Sequence, residues 1–490
     1  MSLPLKVTLA GFNLDTETLR ELAEAAYDHG EPPPRESLTP ETISAAYARI
    51  SRNPADIGEL RKISRNAVEK ARKSNETIVF GLGHSSVAEH ATFNLDIVGM
   101  SRFAVESIER HRLASFTEKS QRYIKLDGDI VIPPEIEEAG FREDFLGLIE
   151  RQNRVYFELH PRLTEYFTPI CEKNEEADPQ RAAEALASED ARYVVSLATL
   201  SQFGMTLNAR TLETVLRDSL AHPLKEVNEF GKQLRQTVHG IAPSLIKYVN
   251  STVYEQDQFA RTLFWPFERT PSMEDVRLLS HTPEGELHVI ASMLVNRQNR
   301  SWNSAMEQTR KMEVEERLAM IHDTLRHGQH WDPPPREFEM ADFTFELSLS
   351  AAAFGQLKRH RMATQILGPY DPALGWTTPD SVEAVDGDDI FDDVMSASAE
   401  LGEKIAKTHP QAAPYALTNA HRRRVIFKAN AREMYHVSRL REDVHAQWDI
   451  RKLANEMIRQ AKAVAPVLMT LAVGKHEFPK RRSEVYGDEE

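Results

Sequence analysis

Two short stretches of the chain alternate strictly between apolar and polar residues. Thr92 to Val98 does so through Phe93, Leu95 and Ile97, and Phe343 to Leu347 does so through Phe343, Phe345 and Leu347. A period of two predicts a strand with one face in the core. Lys6 to Ala10 predicts another strand. Helical patterns cover Thr16 to Tyr27, Arg61 to Lys73, Phe103 to Arg112, Phe141 to Glu165 and Pro179 to Leu186. Thr39, followed by Pro40 and Glu41, predicts a helix start, with threonine as cap and proline at the first helical position. The clearest stripe is Ala446, Ile450, Leu453, Met457, Ala461 and Val464, which predicts one core-facing side of a helix. Helices dominate over short strands, which predicts an α+β fold with a small antiparallel or mixed sheet.

The pattern occurs twice. Arg110-His111-Arg112 recurs as Arg359-His360-Arg361, Asn208-Ala209-Arg210 as Asn430-Ala431-Arg432, and Ala242-Pro243 as Ala465-Pro466. Repetition of separated motifs in the same order predicts an internal duplication. The expected division is a first domain over 1–250, a connector over 251–275 that carries Pro266 and Pro271, and a second domain over 276–490.

Composition narrows the class. The 490 residues suffice for two domains with separate cores, and the net charge of −15 argues against binding a nucleic-acid polymer along its backbone. A local basic pocket for one nucleotide stays open. The single cysteine, Cys171, permits neither an internal disulfide nor a Cys-x-x-Cys metal site, and it is expected in the core. No metal is expected. No signal-peptide pattern or membrane-length apolar run is read, so the cytoplasm is the expected location. The basic runs His421 to Arg424 and Lys480 to Arg482 are each expected as a solvated face or tail.

The candidate chemistry concentrates in Arg110 to Tyr123, which reads Arg-His-Arg-Leu-Ala-Ser-Phe-Thr-Glu-Lys-Ser-Gln-Arg-Tyr. Arginine forks suit phosphate oxygens, serines add directional donors, and a glutamate orders the arginines or binds a ligand N–H. This stretch resembles the signature of the flavin-dependent thymidylate synthases (ThyX), Arg-His-Arg-x-x-Ser-x-Asn-Glu-x-Ser-x-Arg. Arg110, His111, Arg112, Ser115, Glu118, Ser120 and Arg122 match, and Thr117 departs from the family asparagine. Gly83 to His90 resembles the family's Gly-His-x-(Ser/Thr)-Pro-x-Glu-His, with Val87 for proline. Ala191 to Leu197 resembles Ala-Arg-x-x-Leu-Pro-Leu, with Ser196 for proline. Leu440-Arg441 and His445 to Ile450 resemble the family's C-terminal motif.

The two copies depart in opposite places. In the first, Ser219 stands where the family has its essential arginine. In the second, Ser-x-Arg-Tyr is gone, Met340 replaces His90, and Pro414 replaces Arg192. The expectation is that the halves complement each other, two chains forming a homodimeric pseudo-tetramer. Arg192 and Arg441 lie in different halves, however, whereas the family takes both from one subunit. No arrangement of two copies is therefore expected to rebuild every contact of the family's geometry.

The resemblance implies reductive methylation of dUMP to dTMP, with FAD as cofactor and NADPH and methylenetetrahydrofolate as co-substrates. Arg441 is the implied catalytic residue, at the uracil edge. Arg110, Glu118, Ser120, Arg122 and Arg192 are implied to bind the dUMP-like nucleotide. Ser86, Arg110, His111, Arg112, Glu118, Asn430, Arg432, His436 and His445 are implied to bind the flavin. Two other readings stay open: a ThyX-like flavoenzyme acting on another uracil-type substrate, and a non-catalytic nucleotide- or flavin-binding scaffold.

Overall fold

The computed structural model describes residues 4–28, 35–122, 126, 128–264 and 274–487. Tyr123 of the first motif and the connector prolines Pro266 and Pro271 lie outside the described residues. Contacts group the chain into two units, each discontinuous in sequence. The first comprises 1–154, 195–267 and 397–416, and the second comprises 155–194, 268–396 and 417–490. Each unit thus holds a segment from the other half of the sequence.

The first unit contains β1 (Lys6–Phe12), β2 (Thr92–Ser101), β3 (Ala114–Glu118) and β4 (Leu200–Asn208), paired antiparallel in the order β1-β2-β4-β3. The alternation in β2 does what period two requires: Phe93, Leu95 and Ile97 are buried and register against Leu207, Met205 and Phe203 of β4. Helices Ala209–Ala221 and Lys225–Val238 contribute Leu212, Val215, Leu216, Phe230 and Leu234 to this core, and Leu401, Ile405 and Tyr415 join from the exchanged segment. Each such large apolar side chain contributes roughly 1.5–3 kcal/mol on burial.

The second unit repeats the topology with β5 (Val276–His281), β6 (Asp342–Ser350), β7 (Thr364–Tyr370) and β8 (Arg422–Asn430), again antiparallel, in the order β5-β6-β8-β7. Phe343, Phe345 and Leu347 face Ala429, Phe427 and Val425. The predicted stripe of helix Trp448–Val464 fills this core through Ile450, Leu453, Met457 and Ala461. Val464, in the last position of that helix, is exposed instead.

The caps repeat as well. Ser101 and Ser350 accept the N–H groups of Ala104 and Ala353, and Asn208 and Asn430 accept those of Thr211 and Glu433. Each cap satisfies a donor that the first helical turn leaves unpaired.

Several expectations shift. The helix before the first Arg-His-Arg ends at Glu109, so the triplet follows it rather than forming its last turn. The Arg61 to Lys73 stretch divides at Ala67 into helices Ile57–Asn66 and Val68–Glu76. Pro40 takes the cap position of Glu41–Arg49, while the Thr39 hydroxyl still accepts the Glu41 N–H at 3.3 Å. Part of the connector forms the helix Val253–Phe264. Cys171 is buried, as expected.

The first basic run is not a solvated face. Arg423 is buried between Phe354 and Tyr370, with ring centroids 4.9 and 4.4 Å from its guanidinium carbon, and donates to the Gly368 carbonyl. The second run belongs to helix Phe478–Tyr486, where Arg481 donates to the Thr470 carbonyl at 3.0 Å. No described helix is long and apolar enough to cross a membrane.

Candidate functional site

In the second unit, the Asn430 cap starts helix Ala431–Arg441 directly after β8. Glu433 and His436, three residues apart, share one face of it. His360, from the second Arg-His-Arg, is buried beside them. Its Nδ1 lies 3.0 Å from Glu433 Oε1, and its Nε2 accepts from Arg441 Nε at 2.9 Å. Arg441 Nη1 donates to Gln356 Oε1 at 3.1 Å. Burial, reinforced by the charges of Arg441 and His436, holds the His360 imidazole well below its usual pKa. Burial raises the Glu433 carboxyl, against the opposing pull of His436 and Arg432. Arg441, half-buried, is therefore held on two nitrogens by uncharged acceptors.

The first-half segment carrying Arg192 belongs to this unit. Trp448 Nε1 donates to Asp190 Oδ1 at 2.7 Å, and the Trp448 ring stacks on Tyr193 at 5.5 Å between centroids. The Tyr193 hydroxyl accepts from Gln447 at 2.6 Å and donates to Asp449 at 3.0 Å. Arg192 is buried at the end of helix Pro179–Ala191, and its carbonyl accepts from Asn419 at 2.9 Å. Arg192 and Arg441 thus fall in one compact unit although they come from different repeats. This corrects the inference that their positions in sequence separate them.

The other predicted residues of this unit have simpler settings. Asn430 serves as the helix cap. Arg432 donates to the Pro334 carbonyl at 2.8 Å and pairs with Glu339 at 3.4 Å. His445 is exposed, with Nδ1 2.7 Å from Asp443. Gln447 caps helix Trp448–Val464 by accepting from Asp449 and Ile450.

In the first unit, Arg110 and His111 converge on one carboxylate. Asp218 Oδ2 accepts from Arg110 at 2.8 Å and lies 3.2 Å from His111 Nε2. Burial raises the Asp218 carboxyl, but His111 and Arg110 outweigh it and hold the group below its usual range. The Arg110 guanidinium also lies 5.5 Å from the Phe259 ring of the connector helix. Glu118 accepts from Ser201 at 3.1 Å and lies 3.8 Å from Arg102. The Ser120 hydroxyl accepts the Arg122 N–H at 3.2 Å, and Arg112 and Ser86 are exposed. The expected phosphate set is divided between units, with Arg110, Ser120 and Arg122 in the first and Arg192 in the second.

Ser219 explains the missing arginine of the first unit. It is fully buried, and a Cβ on Gly231 would come within 2.9 Å of its own Cβ. The two helices approach too closely there for a guanidinium chain. A cleft of about 540 Å³ in the second unit is lined by Asp275, Lys452, Glu456 and Arg459, among others, and by none of the predicted site residues.

Sequence reasoning missed Glu433, Gln356, Asp190, Tyr193 and Asp218. A partial signal existed for Glu433, which sits three positions after a capping asparagine and three before His436.

Residues 35–244 and 277–467 each match the thymidylate synthase complementing protein family. The chain belongs to that family. It carries the family fold twice. A flavin-dependent thymidylate synthase of Clostridium tetani is 31% identical over 213 residues, covering 43% of this chain and 82% of that protein. A UPF0159 protein of Thermoplasma acidophilum is 25% identical over 471 residues, covering 86% of this chain and 93% of that protein, so the long form recurs there. Among solved structures, the Helicobacter pylori flavin-dependent thymidylate synthase complexed with FAD and dUMP is 18% identical with a TM-score of 0.31, covering 50% of this chain and all of that one.

Proposed function

We propose that the protein is a flavin-dependent thymidylate synthase that reductively methylates dUMP to dTMP, with methylenetetrahydrofolate as carbon donor and NADPH as reductant. The observation that carries this reading is that the segment carrying Arg192 joins, in one unit with Arg441, the Trp448–Asp449 part of the motif that follows that arginine. Family membership and the polar signature Arg110 to Arg122 support it further.

The chemistry of the donors suits a flavin dinucleotide. Arg110 is 44% exposed on its side chain, and Arg112 and Ser86 are exposed, so cationic forks and a hydroxyl, donor types that suit a pyrophosphate, reach solvent. His111, Glu118, Asn430, Arg432, His436 and His445 complete the proposed flavin residues. FAD supplies the hydride that the methylene group needs to become a methyl.

The chain's own residues bind and polarise. Arg192 offers charge-assisted hydrogen bonds to a phosphate in the second unit, while Arg110, Ser120 and Arg122, with Glu118 as acceptor, offer the same kind of contacts to a nucleotide in the first. Arg441 places a fixed cation at the uracil edge, which favours loss of the N3 proton and raises the electron density at C5. No thiol nucleophile is required, in keeping with a buried Cys171. A homodimeric pseudo-tetramer in the cytoplasm belongs to this reading.

The test is an assay of the purified protein with FAD, NADPH and dUMP. NADPH oxidation stimulated by dUMP, with dTMP formed only when methylenetetrahydrofolate is present, is expected. Flavin retention and NADPH oxidation without dTMP would favour another uracil-type substrate. Failure to retain flavin would favour a binding scaffold.

A further inference from the structure

The turn between helices Ala431–Arg441 and Trp448–Val464 carries a buried carboxylate beside an exposed imidazole. Asp443 Oδ1 accepts from the His445 backbone N–H at 3.0 Å and lies 2.7 Å from the Nδ1 of the same residue. Asp443 Oδ2 accepts from the His476 backbone N–H at 3.1 Å, and the His476 ring approaches it at 3.6 Å. Burial alone would raise the Asp443 carboxyl, but the backbone and ring of His445 and the backbone of His476 outweigh it and hold the group below its usual range. An ionised carboxylate only accepts, so His445 Nδ1 donates.

The carboxylate is itself held from outside the turn. A Cβ on Gly474 would come within 2.9 Å of the Glu442 carbonyl and 3.1 Å of the Asp443 nitrogen, and the Lys475 N–H donates to the Arg439 carbonyl at 3.2 Å. This close approach brings the His476 N–H to Asp443 Oδ2. The His445 side chain, in contrast, is 88% exposed and within reach of a ligand. The first repeat lacks the pair: counting from Asn208 as from Asn430 puts Ala221 and Pro223 in the places of Asp443 and His445. The acid and the imidazole thus occur together in the repeat that keeps Arg441.

We propose that Asp443 is a positioning residue for His445, which fixes the proton of the neutral ring on Nδ1 and makes Nε2 the acceptor for an N–H or O–H of the flavin. This deepens the proposed function and rests on His445 belonging to the flavin set. A neutral imidazole has one donor and one acceptor nitrogen, and the partner of one nitrogen decides the role of the other. The isoalloxazine ring and the ribityl chain of FAD both carry suitable donors.

The test reads the ring directly. Histidine side chains are isotopically labelled on nitrogen, and the His445 resonances are identified by their absence from His445→Asn. Spectra are recorded at about pH 9, well above the ordinary imidazole value of about 6.5, so that the neutral ring is observed. In the parent, Nδ1 is expected to carry the proton and Nε2 to be bare. In Asp443→Leu the proton should move to Nε2, the form that histidine prefers in water. The parent spectrum decides the matter even where Asp443→Leu does not fold. FAD affinity, measured by fluorescence titration, gives the second readout. Asp443→Leu and His445→Leu should each weaken it by about tenfold, the scale of one hydrogen bond. The double variant should bind like the weaker single variant, because Asp443 acts through the His445 ring.

A parent ring protonated on Nε2 overturns the proposal and leaves the proposed function standing. Losses of affinity that multiply in the double variant also overturn it, since they make Asp443 a purely structural residue of the turn. A parent that binds no FAD overturns the proposed function, and with it the role of Nε2, whatever the ring spectrum shows.

Discussion

The hydroxyl of Tyr193 donates to Asp449 at 3.0 Å, joining a residue of the first repeat to the C-terminal motif of the second. The first unit contains the mirror contact, Tyr415 to Glu226 at 2.6 Å. In each case the carboxyl also accepts from the serine that caps the next helix, Ser350 at 2.5 Å and Ser101 at 2.8 Å. Two buried triads of serine, acid and tyrosine, each with its tyrosine supplied by the other repeat, mark a reciprocal exchange of segments. Tyr193→Phe leaves Gln447 and Asp449 short of a partner in the core. A loss of roughly 1–3 kcal/mol is expected, read by denaturant unfolding, and Tyr415→Phe should cost a similar amount.

Asp190 predicts a pH dependence. Burial pushes its carboxyl up to about 6 from an ordinary 3.8, in spite of hydrogen bonds from Ser381 and Trp448. Between these values the native state keeps a proton that the unfolded chain has lost. Stability therefore falls as pH rises through that window, by an amount on the order of 3 kcal/mol, and levels off above it. Asp190→Asn should remove this component. The melting temperature of the variant, measured against pH from about 4 to 7 alongside the parent, should decline less steeply than the parent's. Parallel curves would contradict the assignment.

Ser219→Arg restores the family residue in the first unit but should not create a second site. The side chain would enter the close approach of helices Ala209–Ala221 and Lys225–Val238 at Gly231. Overpacking of this kind costs about 1–3 kcal/mol or more. The expected outcome is a lower melting temperature with no additional nucleotide bound per chain.

Arg423→Lys should destabilise the second unit by about 1–2 kcal/mol, measured by denaturant unfolding. Lysine keeps the charge but loses the planar stack on Tyr370 and the forked bond to Gly368. A neutral result would mean that the stack contributes nothing beyond charge.

The local elements were legible because their causes are local. Phe93, Leu95 and Ile97 announced β2, Thr39-Pro40-Glu41 announced a helix start, and the stripe from Ile450 to Ala461 announced a buried helix face. The stripe failed at Val464 because the last position of a helix has no following turn to cover it. The basic run at Arg423 was misread because Phe354 and Tyr370, which bury it, lie about 50–70 residues earlier in the chain. The exchange of 155–194 and 397–416 left no mark in the pattern at all. An amphipathic helix records that it has an apolar face, and either repeat offers a matching surface. For the candidate site, the motif singles out Arg441, but the residues it bonds to, His360 and Gln356, come from another part of the chain.

The central claim is that one nucleotide site is built from both repeats, with Arg192 for the phosphate and Arg441 for the base. The most direct measurement is dTMP formation by the flavin-loaded protein and by Arg192→Ala, Arg441→Ala and Arg210→Ala. Arg210 pairs with Glu89 at 2.5 Å on a half-exposed surface, so its loss should leave the rate near that of the parent. Arg192→Ala and Arg441→Ala should each reduce turnover by about 10²-fold or more, the scale for removing a fixed donor from a site of developing charge. Full activity in either of these two variants, or loss of activity in Arg210→Ala alone, would contradict the account.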